Sequence, residues 1–374
     1  MAIRSAEHAV GYGLERGTPE LRSAGPITFG PDSILFVADS AAARIYAIAI
    51  EDASPVSGTR SLDVDRLDER LAAYLGVPAD DVDIRGMAVD PATQGVYLSV
   101  ARGRGAGSIP LILRVEDDGS LQEVSLRDVQ YAQTGIDDAP AEDDERTDIR
   151  VLRDDEPGGQ AYDARGTILQ LVRESLRTVT VTDMAYVGGT LVVAGASNEE
   201  FTSTLRQIPF PFKGAAHSSS LEIFHVSHGK WETHSPIRTF VAYDDDMSVL
   251  ASYTCTPIVK FSLRDLQGGD QARGHTVAEL GAMNTPLGMV SFRRDGEEYL
   301  LVSNSRHELF KLSRKDLEAQ ESLTTPQAPV GAPRQSLPHH GVGRMASLNG
   351  ETVLMLQRTP EGHVDLHSYS TASL

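Results

Sequence analysis

The side chains best suited to chemistry are imidazoles, carboxylates and carboxamides that recur at similar points of a repeated pattern, with no contiguous catalytic motif. His234 and His340 (or its neighbour His339), with Asp183 and Asn284 as oxygen donors, would suit a first-row divalent ion with positions open for water or substrate. Such an ion lowers the pKa of bound water, and Glu199 or Glu200 would then serve as the proton-transfer group. Around them Arg85, Arg102, Arg306 and Arg358, with Asn198 and Asn304, would grip an anionic or carbonyl-bearing small molecule. The same residues admit a plainer reading, a ring of polar groups that solvates an open channel, with Asp183 accepting backbone hydrogen bonds.

A repeat would bring residues so far apart in sequence together. A small residue or proline, a short apolar strand, a turn and a longer apolar strand return about six times, first as Gly25-Pro26-Ile27-Thr28-Phe29 before 34–39, then as Gly86-Met87-Ala88-Val89 before 96–100. Repeats of roughly 40–50 residues with four short strands each predict an all-β, six-bladed β-propeller. Inner strands read at 26–29, 86–89, 183–187, 237–243, 287–292 and 342–348, and second strands at 34–38, 96–100, 191–194, 247–253, 299–303 and 352–357. Third strands read at 44–48, 111–115, 221–225, 258–261, 308–312 and 364–369. In this geometry the starts of the inner strands and the ends of the second strands share one face, so the candidate residues converge on an axial mouth. The last blade runs out of chain, so a segment within 7–24 is expected to supply its fourth strand and remove the free edge.

Three interruptions carry structure of their own within a single domain spanning 1–374. Residues 63–75, with Leu67, Leu71 and Leu75 on one face, predict an amphipathic helix. Residues 127–180 read as an insertion between the second and third blades, an acidic and mobile loop followed by a helix over 166–177. Residues 196–219 contain Asn198-Glu199-Glu200-Phe201 and Pro209-Phe210-Pro211-Phe212, and read as a lid or binding loop.

The charge balance excludes some partners. Lys and Arg number 34 against 53 Asp and Glu, a formal charge of −19 that argues against nucleic acid and anionic membrane surfaces, while a protein partner remains open. Cys255 is the single cysteine, so an intrachain disulfide is ruled out, and it reads as a nucleophile, a soft ligand or a small buried residue. No apolar run of signal-peptide or membrane-spanning length occurs, which points to a soluble, cytoplasmic chain, although one that had lost a leader would read the same. His225 and His228 flank a turn expected on the opposite face from the mouth, and read as structural imidazoles or, alternatively, a peripheral metal site. Gly103-x-Gly105-x-Gly107 beside Arg102 and Arg104 lacks the order of a nucleotide-binding loop.

The first blade, from Ala24 to Asp39, resembles the repeat of the six-bladed group that includes gluconolactonases, senescence-marker-type lactonases, strictosidine-synthase-like proteins and NHL-repeat propellers. Residues 197–201, 208–212 and 253–257 also resemble bacterial propeller proteins without an assigned activity. The lactonase resemblance implies a divalent ion at the mouth, with Asn284 in place of one of the family's asparagines. It is incomplete, because Ser23-Ala24-Gly25 stands where those enzymes carry a metal-binding glutamate. Carotenoid-cleaving propellers use four axial histidines and seven blades, whereas His234 and His339/His340 are what this chain offers. Two functions follow as expectations: a metal-dependent enzyme working by hydrolysis, lyase chemistry or oxidation on a small metabolite, or a non-catalytic ligand- or protein-binding scaffold.

Overall fold

The computed structural model describes residues 11–51, 60–144, 146, 150–153, 161–162, 168–173, 175–253, 256–266, 271–281, 284–326 and 330–374. Six sheets, antiparallel apart from a short parallel pairing of Ala272–Arg273 on blade 3, form the blades of a propeller, numbered here in chain order, and a separate three-stranded sheet joins Arg150–Arg153, Ala161–Tyr162 and Ile168–Arg173. The inner strands are Ile27–Phe29, Val82–Val89, Asp183–Val187, Ile237–Tyr243, Pro286–Arg294 and Val342–Asn349, where the repeat places them. Second strands such as Ile34–Asp39 and Ser248–Tyr253 are buried along their whole length, because each is covered by a neighbouring blade on both faces. That double burial is why they read as unbroken apolar runs.

The blades do not follow the chain around the axis. Inner-strand contacts give the ring order 1-2-6-5-4-3, closing from blade 3 back to blade 1. The cores agree: Ile34 and Phe36 of blade 1 pack with Leu191 and Val193 of blade 3, while Phe29 and Leu35 pack with Ala88 and Tyr97 of blade 2. Val96 and Leu98 of blade 2 in turn meet Leu354 and Leu356 of blade 6. The chain therefore sets blade 2 on one side of blade 1, returns past blade 1 and sets blade 3 on the other.

This path changes how the edges are closed. On its return the chain lays Val129–Gly135 against Arg44–Ala49 as the fourth strand of blade 1, so these residues belong to the propeller and not to an insertion. Glu15–Gly17 adds to the same sheet outside them, so the N-terminal segment closes blade 1 instead of the last blade. The edge of blade 6 is covered from elsewhere, by the segment leading into blade 2. There Val64 N–H donates to Leu366 O at 2.8 Å, Leu366 N–H returns to Val64 O at 3.0 Å, and Leu62 N–H donates to Ser368 Oγ at 2.6 Å. The helix Leu67–Leu75 follows and buries Leu67, Leu71 and Leu75 between blades 2 and 6; Gly76, in the left-handed region at φ 66°, ends it.

Two further elements differ from the sequence reading. The expected helix over 166–177 is the strand Ile168–Arg173 and a turn of 3-10 helix, Leu176–Val179; a short apolar run fits either state and its period does not decide between them. The middle of the expected lid is the third strand of blade 3, Ser203–Pro209, paired with Thr190–Ala196, and His217–His225 becomes the fourth. Arg206 disguises it. The side chain is only 2 % exposed, and its guanidinium donates to Asp138 Oδ1 at 2.7 Å, Thr180 O at 3.0 Å and Ala196 O at 2.8 Å.

Candidate axial site

Four inner strands carry a bulge at the same level, between Ile84 and Gly86, Ile237 and Thr239, Pro286 and Gly288, and Val342 and Arg344. A bulge inserts one residue and re-aims the side chains around it, and here it does so near the mouth end of the axis. In blade 6 the residue that follows the bulge is Arg344. Its Nε–H donates to Ile84 O of blade 2 at 3.2 Å, and among the described residues it makes no ion pair. Burial lowers the pKa of this guanidinium, and the charges of Asp83 and Asp183 pull it back up.

Asp183 opens the inner strand of blade 3, which the ring order sets opposite blade 6. Its carboxylate accepts from Thr239 Oγ1 at 2.7 Å, Phe240 N–H at 3.0 Å and Met184 N–H at 2.9 Å, stapling blade 3 to blade 4. Burial pushes its pKa up; these three hydrogen bonds and the charge of Arg344 oppose the rise. An acid and a guanidinium thus face one another across the axis, coupled by charge without touching. Arg85, the extra residue of the blade 2 bulge, is partly exposed beside them and donates to Asp83 at 3.0 Å.

The remaining candidates distribute themselves around the mouth. Asn284 and Asn304 are buried and bonded to each other at 2.8 Å; Asn284 Oδ1 accepts from Arg306 N–H at 3.2 Å, and Asn304 Nδ2 donates to Val302 O and Glu308 O. His340 Nε2 lies 3.1 Å from Glu308, and its buried Nδ1 has no hydrogen bond. His339 packs edge-on against Tyr369 with centroids 4.7 Å apart, and burial, then the neighbouring His340, lowers its pKa. His234 is exposed, and its carbonyl accepts from Thr202 Oγ1 at 2.7 Å. Asn198, Glu199 and Glu200 are exposed on the short turn closed by Ser197 N–H to Thr202 O, and Arg146 donates to the carbonyls of Asn198 and Glu199. Arg102 is exposed, and Arg358 donates to Gly362 O at 3.1 Å.

His234, His340 and Asp183 do not gather into a donor cluster. Among the described residues, the groups of three His, Asp or Glu ligand atoms within 4.8 Å of one another are His225-His228-Glu232 and Asp65-Asp365-His367, both away from the axis. Thr254 and Cys255 lie outside the described residues, as do Glu145 and 154–156 of the acidic tract. The described part of that tract, 137–144, is anchored: Glu142 by Arg22 at 2.6 Å, Asp138 by Arg206, and the Pro140 carbonyl by Arg177 at 2.7 Å. A groove of about 780 Å³ at the outer rim of blades 3 and 4, lined by Lys260, Asp265, Arg273 and His275 among others, shares no residue with the mouth.

Arg344 lies outside the strand ends to which the repeat points; its signal in the sequence is a lone guanidinium inside the inner strand after Gly341-Val342-Gly343.

No family model matches the chain, and no curated protein matches it. Among solved structures, the β-propeller domain of Cps50 (Swd1) from Myceliophteria thermophila aligns over 93% of this chain and 84% of its own at 10% identity and a TM-score of 0.40. A chain of a mitotic checkpoint complex aligns over 95% and 90% at 8% identity and a TM-score of 0.39. Raptor from Chaetomium thermophilum aligns over 98% of this chain and 30% of its own at 11% identity and a TM-score of 0.37. The six-blade assignment rests on the strand pairing and the ring of inner strands. Among the described residues no helix is long and apolar enough to cross a membrane.

Proposed function

We propose that the protein is a non-catalytic binding propeller that takes a small polyanion, a carboxylate or phosphate, in its axial channel, with Arg344 as the principal contact and Arg85 beside it. The observation that carries this reading is the state of Arg344: partly exposed on the innermost strand of blade 6, held by one hydrogen bond, and facing a carboxylate it does not touch. A guanidinium bonded once has four further N–H donors to offer and matches a carboxylate or phosphate edge with two of them. It also focuses positive potential inside a chain of net charge −19, which would otherwise repel such a ligand.

The metal-enzyme alternative draws less support. Asp183, Asn284 and Asn304 already use their oxygens and amides to tie blades and turns together, and His340 is engaged with Glu308. Calorimetric titration with citrate, succinate and inorganic phosphate tests the proposal on wild type and Arg344→Gln. Binding by at least one anion, weakened tenfold or more in a variant that stays folded, is the expected result. Silence towards all three at millimolar concentration, or equal binding by the variant, would sink it.

A further inference from the structure

The outer hairpin of blade 3 brings two imidazoles and a carboxylate together from one short stretch of chain. Its strands His217–His225 and Lys230–Glu232 pair with Ile223 opposite Glu232 and His225 opposite Lys230, and the turn Val226–His228 between them returns His228 towards Glu232. Gly229, at φ 64°, permits that tight return. The Glu232 carboxylate bridges the rings: Oε2 is 2.9 Å from His225 Nδ1 and Oε1 is 2.7 Å from His228 Nδ1, with ring centroids 3.9 Å apart. Burial would raise the pKa of Glu232, but the two imidazoles outweigh it and hold the carboxyl down to about 2.

A second observation is independent of this triad. Glu279, at the end of the fourth strand of blade 4, is fully buried; neither of its oxygens makes a hydrogen bond of good geometry, although the Ser227 N–H and hydroxyl and the Gly281 N–H lie close enough to favour its charge. His225 is among the groups whose charge offsets the burial of Glu279, so two buried carboxylates lean on the same imidazole.

We propose that His225, His228 and Glu232 form a binding site for a zinc-class divalent ion, using both Nδ1 atoms and the carboxylate and leaving one position open to water on the side of the exposed His228. Their ligand atoms already lie within 4.8 Å of one another. Tetrahedral zinc, with bonds of roughly 2.0–2.2 Å, sets its donors about 3.3 Å apart, so the hydrogen-bonded cluster opens by about half an ångström on binding. Each ring must present its Nδ1 lone pair, so the proton now shared with Glu232 leaves or moves to Nε2. Lys230 Nζ stands 3.4 Å from Glu232 Oε1 and competes for the same place, but it is exposed and free to swing out.

The test uses the full chain stripped with chelator, titrated with Zn²⁺ in a calorimeter and with Co²⁺ followed by its visible absorption. Wild type is expected to take one equivalent of zinc at this site, with cobalt bands of tetrahedral intensity. His228→Ala and Glu232→Gln are expected to weaken it roughly 100-fold or more, and Lys230→Ala to tighten it about fivefold. His367→Ala and His340→Ala serve as controls and should leave it unchanged. His228 is half exposed, so its variant should keep the metal-free far-UV spectrum of wild type and carries the test if Glu232→Gln fails to fold. Wild type that takes up neither ion at tens of micromolar, or a His228→Ala variant with unaltered affinity, would overturn the proposal.

Discussion

Arg206 and Arg344 both stand in propeller strands, and burial lowers the pKa of each, yet Arg206 is fully enclosed while Arg344 is partly exposed, and the molecule treats them in opposite ways. Arg206 is enclosed and satisfied by the Asp138 carboxylate and the carbonyls of Thr180 and Ala196. Arg344 keeps one bond, to Ile84 O, and leaves the rest of its guanidinium towards the axis. A buried charge that the chain saturates is part of the scaffold. One that it leaves unsaturated in a channel is a place for a ligand.

The largest expected effect comes from breaking the saturated member. Arg206→Met strands Asp138 and two carbonyls, and should cost about 3–5 kcal/mol in urea unfolding. Arg344→Met, which abandons a single hydrogen bond and relieves the desolvation of a charge, should change stability by about 1 kcal/mol or less, in either direction. Equal losses in the two variants would dissolve the distinction between them.

A second variant sharpens the first. If the cost of Arg206→Met is chiefly the orphaned carboxylate, the double variant Asp138→Leu/Arg206→Met should recover about 1–3 kcal/mol of it. Failure to recover would mean that the carbonyls of Thr180 and Ala196, which fix the mouth end of blade 3, carry the larger share.

The same pair shows why some of this fold is legible in the chain and some is not. Inner and second strands declare themselves because each is a local run bounded by Gly, Pro and Asp turns, as at Gly25–Asp39. Ring order is not local. The return of Val129–Gly135 to blade 1 and the cover of blade 6 by residues 62–66 depend on pairings between segments far apart in sequence; the first is half-exposed and the second only alternates buried Leu62 and Val64 with exposed Asp63 and Asp65, so both look like linker. Arg206 made a buried strand look like a loop, since a charge in a core strand is rare and its partner, Asp138, lies in an acidic tract that reads as solvated surface. At the mouth, residue types were readable but their engagement was not: Asn284 looks the same in sequence whether it holds a ligand or its neighbour Asn304.

The smallest expected effect tests whether the acid opposite Arg344 acts on the site or only on the scaffold. Burial raises the folded-state pKa of Asp183 above its ordinary 3.8, so the folded chain holds this proton more tightly than the unfolded chain does. Stability from this group is therefore greatest at or below pH 3.8 and declines as pH rises from there through the raised folded value. Asp183→Asn should flatten that decline, seen as a smaller difference between urea midpoints at pH 4 and pH 7 than in wild type, while keeping an oxygen to accept from Thr239 and Phe240. It should also tighten anion binding at pH 7 severalfold, because a negative charge across the channel from Arg344 is removed. Tighter binding with a flattened profile ties both residues to one site; a flattened profile with unchanged affinity would leave Asp183 as a staple between blades 3 and 4 and move the ligand to another part of the axis.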